Sequence, residues 1–273
     1  MTAACFVGDA RADGVSAANR SLHYGDGLFE TMRVQDGGVP LLKRHLSRLR
    51  DGARRLGIVA PGADVLAARI DAHIAGCEGG VLKLLLARGE GGRGYAPMAD
   101  ALPFWMLSLH PLPQLPAGGL RLGWCGIRVA IQPALAGIKH CNRLEQVLAR
   151  AEVEAASHDE GLLQDVDGRV VSATSANLLL LRGGRWTTPP VERCGVAGVL
   201  RGWLLDAGLV DVAETGRDEA ESADALALCN AVRGILPVAS LDARAWAPHP
   251  ALDELQNRLA MAYPMFTNKA GRA

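Results

Sequence analysis

From residue 110 to residue 119 the chain carries three prolines and two glycines, and no helix or strand pattern survives the interruption. Proline removes a backbone donor and fixes φ, while glycine loosens the chain, so what lies on either side folds separately. The 273 residues therefore read as two domains, 1–110 and 120–273, joined by a linker at 111–119. A hydrophobic content of 49% is enough for a sizeable core.

Both halves mix strand and helix periods. Strands are expected at 30–34 and 39–42, joined by Gln35-Asp36-Gly37-Gly38, and a helix follows over 43–56 with Leu42, Leu46, Leu49, Ala53 and Leu56 on one face. The runs at 81–87 and 104–109 read as buried strands. In the second half, strands are expected at 120–124, 128–131 and 226–229. Hairpins are expected around Asp167-Gly168 (162–165 with 169–172) and Gly183-Gly184 (177–181 with 185–188), and helices over 199–207 and 252–262. The fold class is α+β.

Composition excludes several functions. A formal net charge of zero gives no field to hold nucleic acid or an anionic membrane. The six cysteines are scattered without a C-x-x-C pair, which points to reduced thiols and a cytoplasmic setting. No basic stretch followed by an apolar one opens the chain, and no apolar run approaches the roughly 18 residues of a membrane span. No two histidines lie three or four apart, so no helical metal site is expected.

Chemistry concentrates at Lys139, in Ala136-Gly137-Ile138-Lys139-His140-Cys141-Asn142-Arg143-Leu144-Glu145-Gln146-Val147-Leu148. Asn142 can cap the following helix while Glu145 reaches back to it, and Leu144, Leu148, Ala151 and Ala155 mark one helix face. A lysine braced in this way is held as an amine that attacks a carbonyl carbon should be. The basic stretch Lys43, Arg44, His45, Arg48, Arg50, Arg54, Arg55 reads as a solvated helix face, and it is the sole support for a nucleic-acid binder. Gly89, Gly91 and Gly94 match G-x-G-x-x-G, but Tyr95-Ala96-Pro97 follows where a dinucleotide site needs a helix. Gly195-Val196-Ala197-Gly198-Val199-Leu200-Arg201 places glycines at the mouth of a helix, where an anion is favoured. Leu228-Cys229-Asn230-Ala231 opens a turn with main-chain donors.

Together these segments resemble the class IV (fold type IV) pyridoxal-phosphate enzymes, and among them most closely the aminodeoxychorismate lyases, from about residue 7 to residue 238. The resemblance implies a two-domain, branched-chain-aminotransferase-like fold with pyridoxal 5′-phosphate in the cleft between domains, and a homodimer. Lys139 would bind the cofactor and serve as base and then acid. Arg48, in His45-Leu46-Ser47-Arg48-Leu49, would grip its phosphate with a rigid, permanently charged fork. Ser172, Asn177, Gly198, Val199, Leu200, Asn230 and Ala231 complete the implied cofactor set. In Leu22-His23-Tyr24-Gly25-Asp26-Gly27-Leu28-Phe29-Glu30, Tyr24 and Glu30 are open to a substrate-side role or a structural one. In Arg88-Gly89-Glu90-Gly91-Gly92-Arg93-Gly94-Tyr95, the substrate's two carboxylates would meet Arg88, Arg93 or Tyr95. The chain departs from the family at Ser172, where a glutamate usually pairs with the pyridine nitrogen. A hydroxyl there leaves a weaker electron sink. The implied reaction is elimination of pyruvate from 4-amino-4-deoxychorismate to leave 4-aminobenzoate, a folate precursor. The rival on the same scaffold is a branched-chain or D-amino-acid aminotransferase.

Overall fold

The computed structural model describes residues 3–116 and 118–267, so Ala117 of the expected linker and residues 268–273 lie outside the described part. The chain divides into two compact units. The first is Met1–Leu112 with Ile138–Asn142, and the second is Pro113–Gly137 with Arg143–Ala273. The first division falls within the stretch read as a linker. The segment carrying Lys139 was expected in the C-terminal domain, but its contacts place it in the first unit.

The first unit contains β1 (Ala3–Val7), β2 (Ala10–Ala12), α1 (Arg20–Tyr24), β3 (Gly27–Gln35), α2 (Leu42–Leu56), α3 (Ala63–Ile74), β4 (Gly79–Ala87) and β5 (Phe104–His110). Among the described residues the strands form an antiparallel sheet in the order β2-β1-β5-β4-β3. In β3 the period of two buries Leu28, Glu30, Met32 and Val34, leaving Phe29, Thr31 and Arg33 half-buried on the other face. Leu46, Leu49 and Ala53 of α2 and Leu66, Ile70 and Ile74 of α3 fill the same core. Trp105 stacks on Phe6 with centroids 4.0 Å apart and donates from Nε1 to Gly8 O at 2.8 Å.

The strand expected at 39–42 does not form. Gln35 and Gly38 close the turn, but Pro40 has no N–H for a ladder, and Leu41 at φ 61° turns the chain into α2. β3 pairs with β4 instead. Helix α3 was not anticipated, although Leu66, Ile70 and Ile74 recur every fourth residue.

The second unit contains β6 (Leu120–Val129), α4 (Leu144–Ala155), β7 (Glu160–Asp165), β8 (Val170–Ala173), β9 (Asn177–Arg182), β10 (Arg185–Thr188), α5 (Val199–Asp206) and β11 (Asp211–Val212). It continues with α6 (Arg217–Glu221), β12 (Ala225–Asn230), β13 (Gly234–Leu241), β14 (Arg244–Ala245) and α7 (Pro250–Ala262). Among the described residues its sheet runs β11-β10-β9-β12-β13-β6-β7-β8, with β14 paired to β13. Both expected hairpins are present, β7–β8 and β9–β10. The two strands expected at 120–124 and 128–131 are one strand, β6, whose register against β7 shifts between Trp124 and Arg128.

Because β6 and β7 are parallel, a crossover must join them, and α4 supplies it. The expected face of α4 is turned the other way. Ala149 and Val153 pack on Cys125, while Leu144, Leu148, Ala151 and Ala155 are exposed. Small residues let the helix lie close: a Cβ on Gly161 would collide with Cys125 Sγ and Val153 Cγ2. No helix among the described residues is long and apolar enough to cross a membrane.

Gly161→Ala is therefore expected to destabilise the protein by about 1–3 kcal/mol through overpacking. Adding Cys125→Ala should return part of that loss, as read from urea midpoints. Equal midpoints for Gly161→Ala and the native chain would show that α4 does not rest on this glycine.

Candidate active site

Lys139 is fixed by sheet pairing. Phe29 N–H donates to Lys139 O at 3.0 Å, Cys141 N–H donates to Gly27 O at 2.9 Å, and Leu28 and His140 form the bridge between them. Ile138, 2% exposed, seats in the core beside Leu28 and Gly52. A Cβ on Gly52 would stand 3.1 Å from Leu28 Cδ2 and 3.3 Å from Ile138 Cγ2, so a glycine lets α2 come this close. The Lys139 amine lies 4.3 Å from the Phe29 ring centroid, and Lys83 Nζ lies 5.3 Å from the same ring.

The expected capping box is not the brace. Asn142 Nδ2 donates to Gly25 O at 3.2 Å, and Glu145 Oε1 accepts from Ala130 N–H at 2.8 Å. The residue at the N-cap of α4 is Arg143, with no side-chain cap bond. Asn142 stands one residue too early to cap, and its amide serves Gly25 instead.

Glu30 points into the core, where a carboxylate must be paired. It accepts from Arg48 Nε at 2.8 Å and from Arg48 Nη2, and it lies 2.6 Å from His45 Nδ1. Burial pushes its carboxyl up. The charge of Arg48, with the hydrogen bond and charge of His45, outweighs burial and brings it down to about 2. His45 is likewise held below its usual range: burial lowers it, Glu30 pulls back, and the charges of Arg48 and Lys139 lower it further. His45 is therefore neutral, donating through Nδ1, and its buried Nε2 meets no hydrogen-bond partner among the described residues. The substrate-side place left open for Glu30 is thus closed. With 1% exposure it holds the Arg48 fork, and an anion on Arg48 must meet another edge.

Arg88 is also committed inward. It donates to Asp26 (Nε to Oδ2 at 2.8 Å, Nη2 to Oδ1 at 3.2 Å), to Leu56 O at 2.7 Å and to Gly57 O at 2.6 Å. It anchors the end of α2, so the proposed contact with substrate carboxylates falls to its neighbours. Burial pushes Asp26 up, but hydrogen bonds from Arg88 and Arg20 and their charges hold it below the usual carboxylate range. Arg93 and Tyr95 are exposed, and the Tyr24 and Tyr95 rings lie 5.4 Å apart. Gly89 at φ 103° has no room for a Cβ against Leu102 O, and no helix follows. The dinucleotide pattern is thus a folded loop.

In the second unit, the turn before α5 is tied to Gly137, two residues before Lys139 in sequence. Gly137 N–H donates to Gly195 O and Ala197 N–H donates to Gly137 O, both at 3.0 Å. Asn177 Nδ2 donates to Val196 O at 3.0 Å, and a Cβ on Gly198 would collide with Asn177 Oδ1. Asn177 thus shapes a turn whose glycine caps α5 without a side chain, and the first N–H groups of the helix, at Val199 and Leu200, face outward along its dipole. Asn230 closes its own turn, its Oδ1 accepting from Val232 N–H at 3.0 Å and Arg233 N–H at 2.8 Å. Buried Glu160 accepts from Thr174 Oγ1, from Ser175 Oγ at 2.6 Å and from Arg233 Nη2 at 3.5 Å, joining that turn to the one after β8. Ser172 sits half-buried on β8, paired in register with Leu163.

The family model described as amino-transferase class IV matches residues 27–241. The chain belongs to this family. It is 33% identical over 239 residues to an aminodeoxychorismate lyase of Vibrio harveyi, covering 84% of this chain and 88% of that one. A crystal structure of 4-amino-4-deoxychorismate lyase from Pseudomonas aeruginosa superposes with a TM-score of 0.88 at 44% identity, over 95% of this chain and 99% of the other. A putative branched-chain-amino-acid aminotransferase of Methanocaldococcus jannaschii is 30% identical over 251 residues, 84% of this chain and 83% of its own.

In this class IV chain the first unit brings together Tyr24, Glu30, Arg48, Arg88, Arg93, Tyr95 and Lys139, and the second holds Ser172, Asn177, Gly198, Val199, Leu200, Asn230 and Ala231. Sequence reading missed Lys83, His45, Arg20 and Glu160. The alternation Leu28, Glu30, Met32, Val34 places Glu30 inward, and the i, i+3 spacing of His45 and Arg48 puts both on one helix face, so that network had a visible signal. Lys83 depends on its pairing with Thr31 across β3 and β4, which no local pattern gives.

The network makes stability acid-sensitive, with a defined sign. Both folded-state values are depressed, so protonation favours the unfolded chain. The His45 contribution is lost as pH falls below the ordinary 6.5, and that of Glu30 as pH falls from 4.5 towards about 2. Glu30→Ala should cost about 3–5 kcal/mol at neutral pH by stranding Arg48. It should also flatten the stability–pH curve below 4.5, as measured by urea unfolding at each pH. An undiminished slope in the variant would remove Glu30 from the account.

Proposed function

We propose that the protein is a pyridoxal 5′-phosphate-dependent carbon–oxygen lyase that converts 4-amino-4-deoxychorismate into 4-aminobenzoate and pyruvate. The observation that carries this reading is Lys139, whose backbone is fixed by main-chain pairing and whose amine lies over an aromatic ring. The lyase relatives from Vibrio harveyi and Pseudomonas aeruginosa support it across most of the chain. The residues fit the cofactor in chemical kind. The first unit offers the Lys139 amine for its aldehyde and the Arg48 guanidinium for an anion. The second offers a helix start capped by Gly198, which brings no side chain of its own. When bound, the cofactor supplies an electron sink conjugated to the substrate nitrogen.

The protein's part is then positioning and proton transfer. Lys139 would hold the cofactor's aldehyde carbon and, as a free amine, would remove the proton from the substrate carbon bearing nitrogen. The same amine returns a proton to the carbon chain that leaves as pyruvate, acting as base and then acid. The Phe29 ring floors one side of the amine. Lys83, over the same ring, adds a second cation for a carboxylate, and Arg93 and Tyr95 offer exposed partners for the other. Ser172 gives the pyridine nitrogen only a hydroxyl, which disfavours full transamination.

Purified protein should release 4-aminobenzoate from the substrate, and Lys139→Ala should lose that release together with the visible absorbance of bound cofactor. Release that survives in Lys139→Ala would overturn the proposal. The relative from Methanocaldococcus jannaschii favours a second reading as an aminotransferase. Given an amino acid alone, a transaminase converts its cofactor to the amine form. The native chain should do so slowly, and Ser172→Glu faster. Rapid conversion by the native chain, without release of 4-aminobenzoate, would favour the second reading.

We further propose a homodimer in a reducing cytoplasm. The exposed stripe Leu144, Val147, Leu148 and Ala151 on α4 gives a second copy an apolar seat. Burial pushes the thiols of Cys125 and Cys194 up to about 11 and that of Cys229 up to about 12, which keeps them protonated and inert. Sedimentation should give twice the 28.8 kDa chain mass, falling to one chain in Val147→Asp with Leu148→Asp. A native monomer would refute the dimer, and a dimeric double variant would move the seam elsewhere.

A further inference from the structure

We propose that Arg20 is a positioning residue that sets the loop carrying Arg93 and Tyr95 against the segment carrying Lys139, and so governs how tightly a dicarboxylate substrate is held. This rests on the reading above that the loop meets the substrate's carboxylates.

Arg20 opens α1 and is 4% exposed. A guanidinium buried to that degree needs a counter-charge and acceptors for its fork. It donates from Nε to Asp26 Oδ2 at 2.8 Å, from Nη1 to Gly94 O at 3.1 Å and Ala96 O at 3.3 Å, and from Nη2 to Tyr95 O at 2.8 Å. Three successive loop carbonyls therefore converge on one side chain, and among the described residues no other donor reaches them. The guanidinium also lies 5.0 Å from the Tyr24 ring centroid, beside the Tyr24–Tyr95 pair.

From Arg20 the bonds run on to Lys139 within the same unit. Asp26 is shared with Arg88, and its neighbour Gly25 gives its carbonyl to Asn142, three residues past Lys139. Gly25, at φ 61°, has no space for a Cβ, which would lie 2.6 Å from Asn142 Oδ1. The loop is shaped to the arginine as well. A Cβ on Gly91 would stand 2.7 Å from Arg20 Cδ and 3.0 Å from Cγ, so Gly91 and Arg20 act as one device. Lysine cannot replace the arginine here, since an ammonium cannot span a carboxylate and three carbonyls in a plane.

The test compares Arg20→Lys and Gly91→Ala with Arg93→Ala, each as holoenzyme, with 4-amino-4-deoxychorismate as substrate. Arg20→Lys and Gly91→Ala should each raise KM about tenfold with kcat within about threefold, because the loss is of binding rather than chemistry. Cofactor affinity should stay as in the native enzyme, and trypsin should cut after Arg93 faster. Arg93→Ala should raise KM comparably, and adding Arg20→Lys to it should change little more. If Arg20→Lys yields no soluble protein, Gly91→Ala carries the same measurements. Native KM and cleavage in Arg20→Lys and Gly91→Ala, with KM raised in Arg93→Ala, would overturn the role of Arg20 and leave the loop reading intact. Loss of kcat and cofactor affinity with KM unmoved would make Arg20 merely structural, and overturn it too. An unchanged KM in Arg93→Ala would instead defeat the loop reading.

Discussion

The hydrogen bonds between β3 and the Lys139 segment are the constraint on which the first unit's chemistry depends. A side-chain brace leaves an amine several rotatable bonds from its anchor. Pairing Lys139 and Cys141 directly to Phe29 and Gly27 instead fixes the backbone of the lysine to a sheet whose inner face is packed by two helices. It also fixes which face the lysine uses. Alternation along β3 sends Leu28 and Glu30 to the core, and Phe29 to the side where the amine lies. One register thus decides both the anchor and the floor of the reactive group.

Carboxylates serve as organising points within each unit, Glu30 and Glu160 buried and Asp26 half-buried. Glu30 gathers Arg48 and His45 from α2, Asp26 gathers Arg20 and Arg88 from two different stretches, and Glu160 in the second unit gathers Thr174, Ser175 and Arg233. Glu160 opens β7, Asp26 precedes β3 and Glu30 lies within it, and their partners come from α1, α2 and the connecting loops. The arrangement converts loop positions into strand-like precision, because a bidentate arginine resists both sliding and rotation. It also explains why charged residues that look available in the sequence are unavailable in the fold. Arg88 and Glu30 are consumed in holding their neighbours.

Where the sequence was legible, a local rule was enough. The hairpins at Asp167-Gly168 and Gly183-Gly184, the helix ending at Leu56 and the break near Pro113 all follow from turn chemistry and periodicity. Where it misled, a non-local contact decided. The leucines of α4 form a regular stripe, yet the close approach required by Gly161 selected the alanine side for burial. Asn142 and Glu145 have the spacing of a capping box, yet Gly25 O and Ala130 N–H, distant in sequence, claimed both side chains. Pro40 was the local signal against a strand at 39–42, and it outweighed the hairpin pattern. Membership of the Lys139 segment in the first unit has no local signal at all, since the chain leaves the second unit for only five residues, Ile138–Asn142.

Under the proposed function, scaffold and chemistry separate at Ser172. Its strand keeps its place: Val170, Val171 and Ala173 are buried, and Ser172 itself pairs with Leu163. Ser172 is the half-buried position of that strand, and its buried neighbours carry the packing. A hydroxyl cannot hold a pyridine nitrogen protonated as a carboxylate does, so an electron pair is drawn less strongly into the ring. For a transaminase that loss falls on the whole reaction, because every step stores electrons in the cofactor. For an elimination that ends in an aromatic ring, the product supplies driving force of its own and the cofactor need hold the electrons only briefly. Under the proposed function, a weaker sink is compatible with the second kind of reaction and poorly suited to the first.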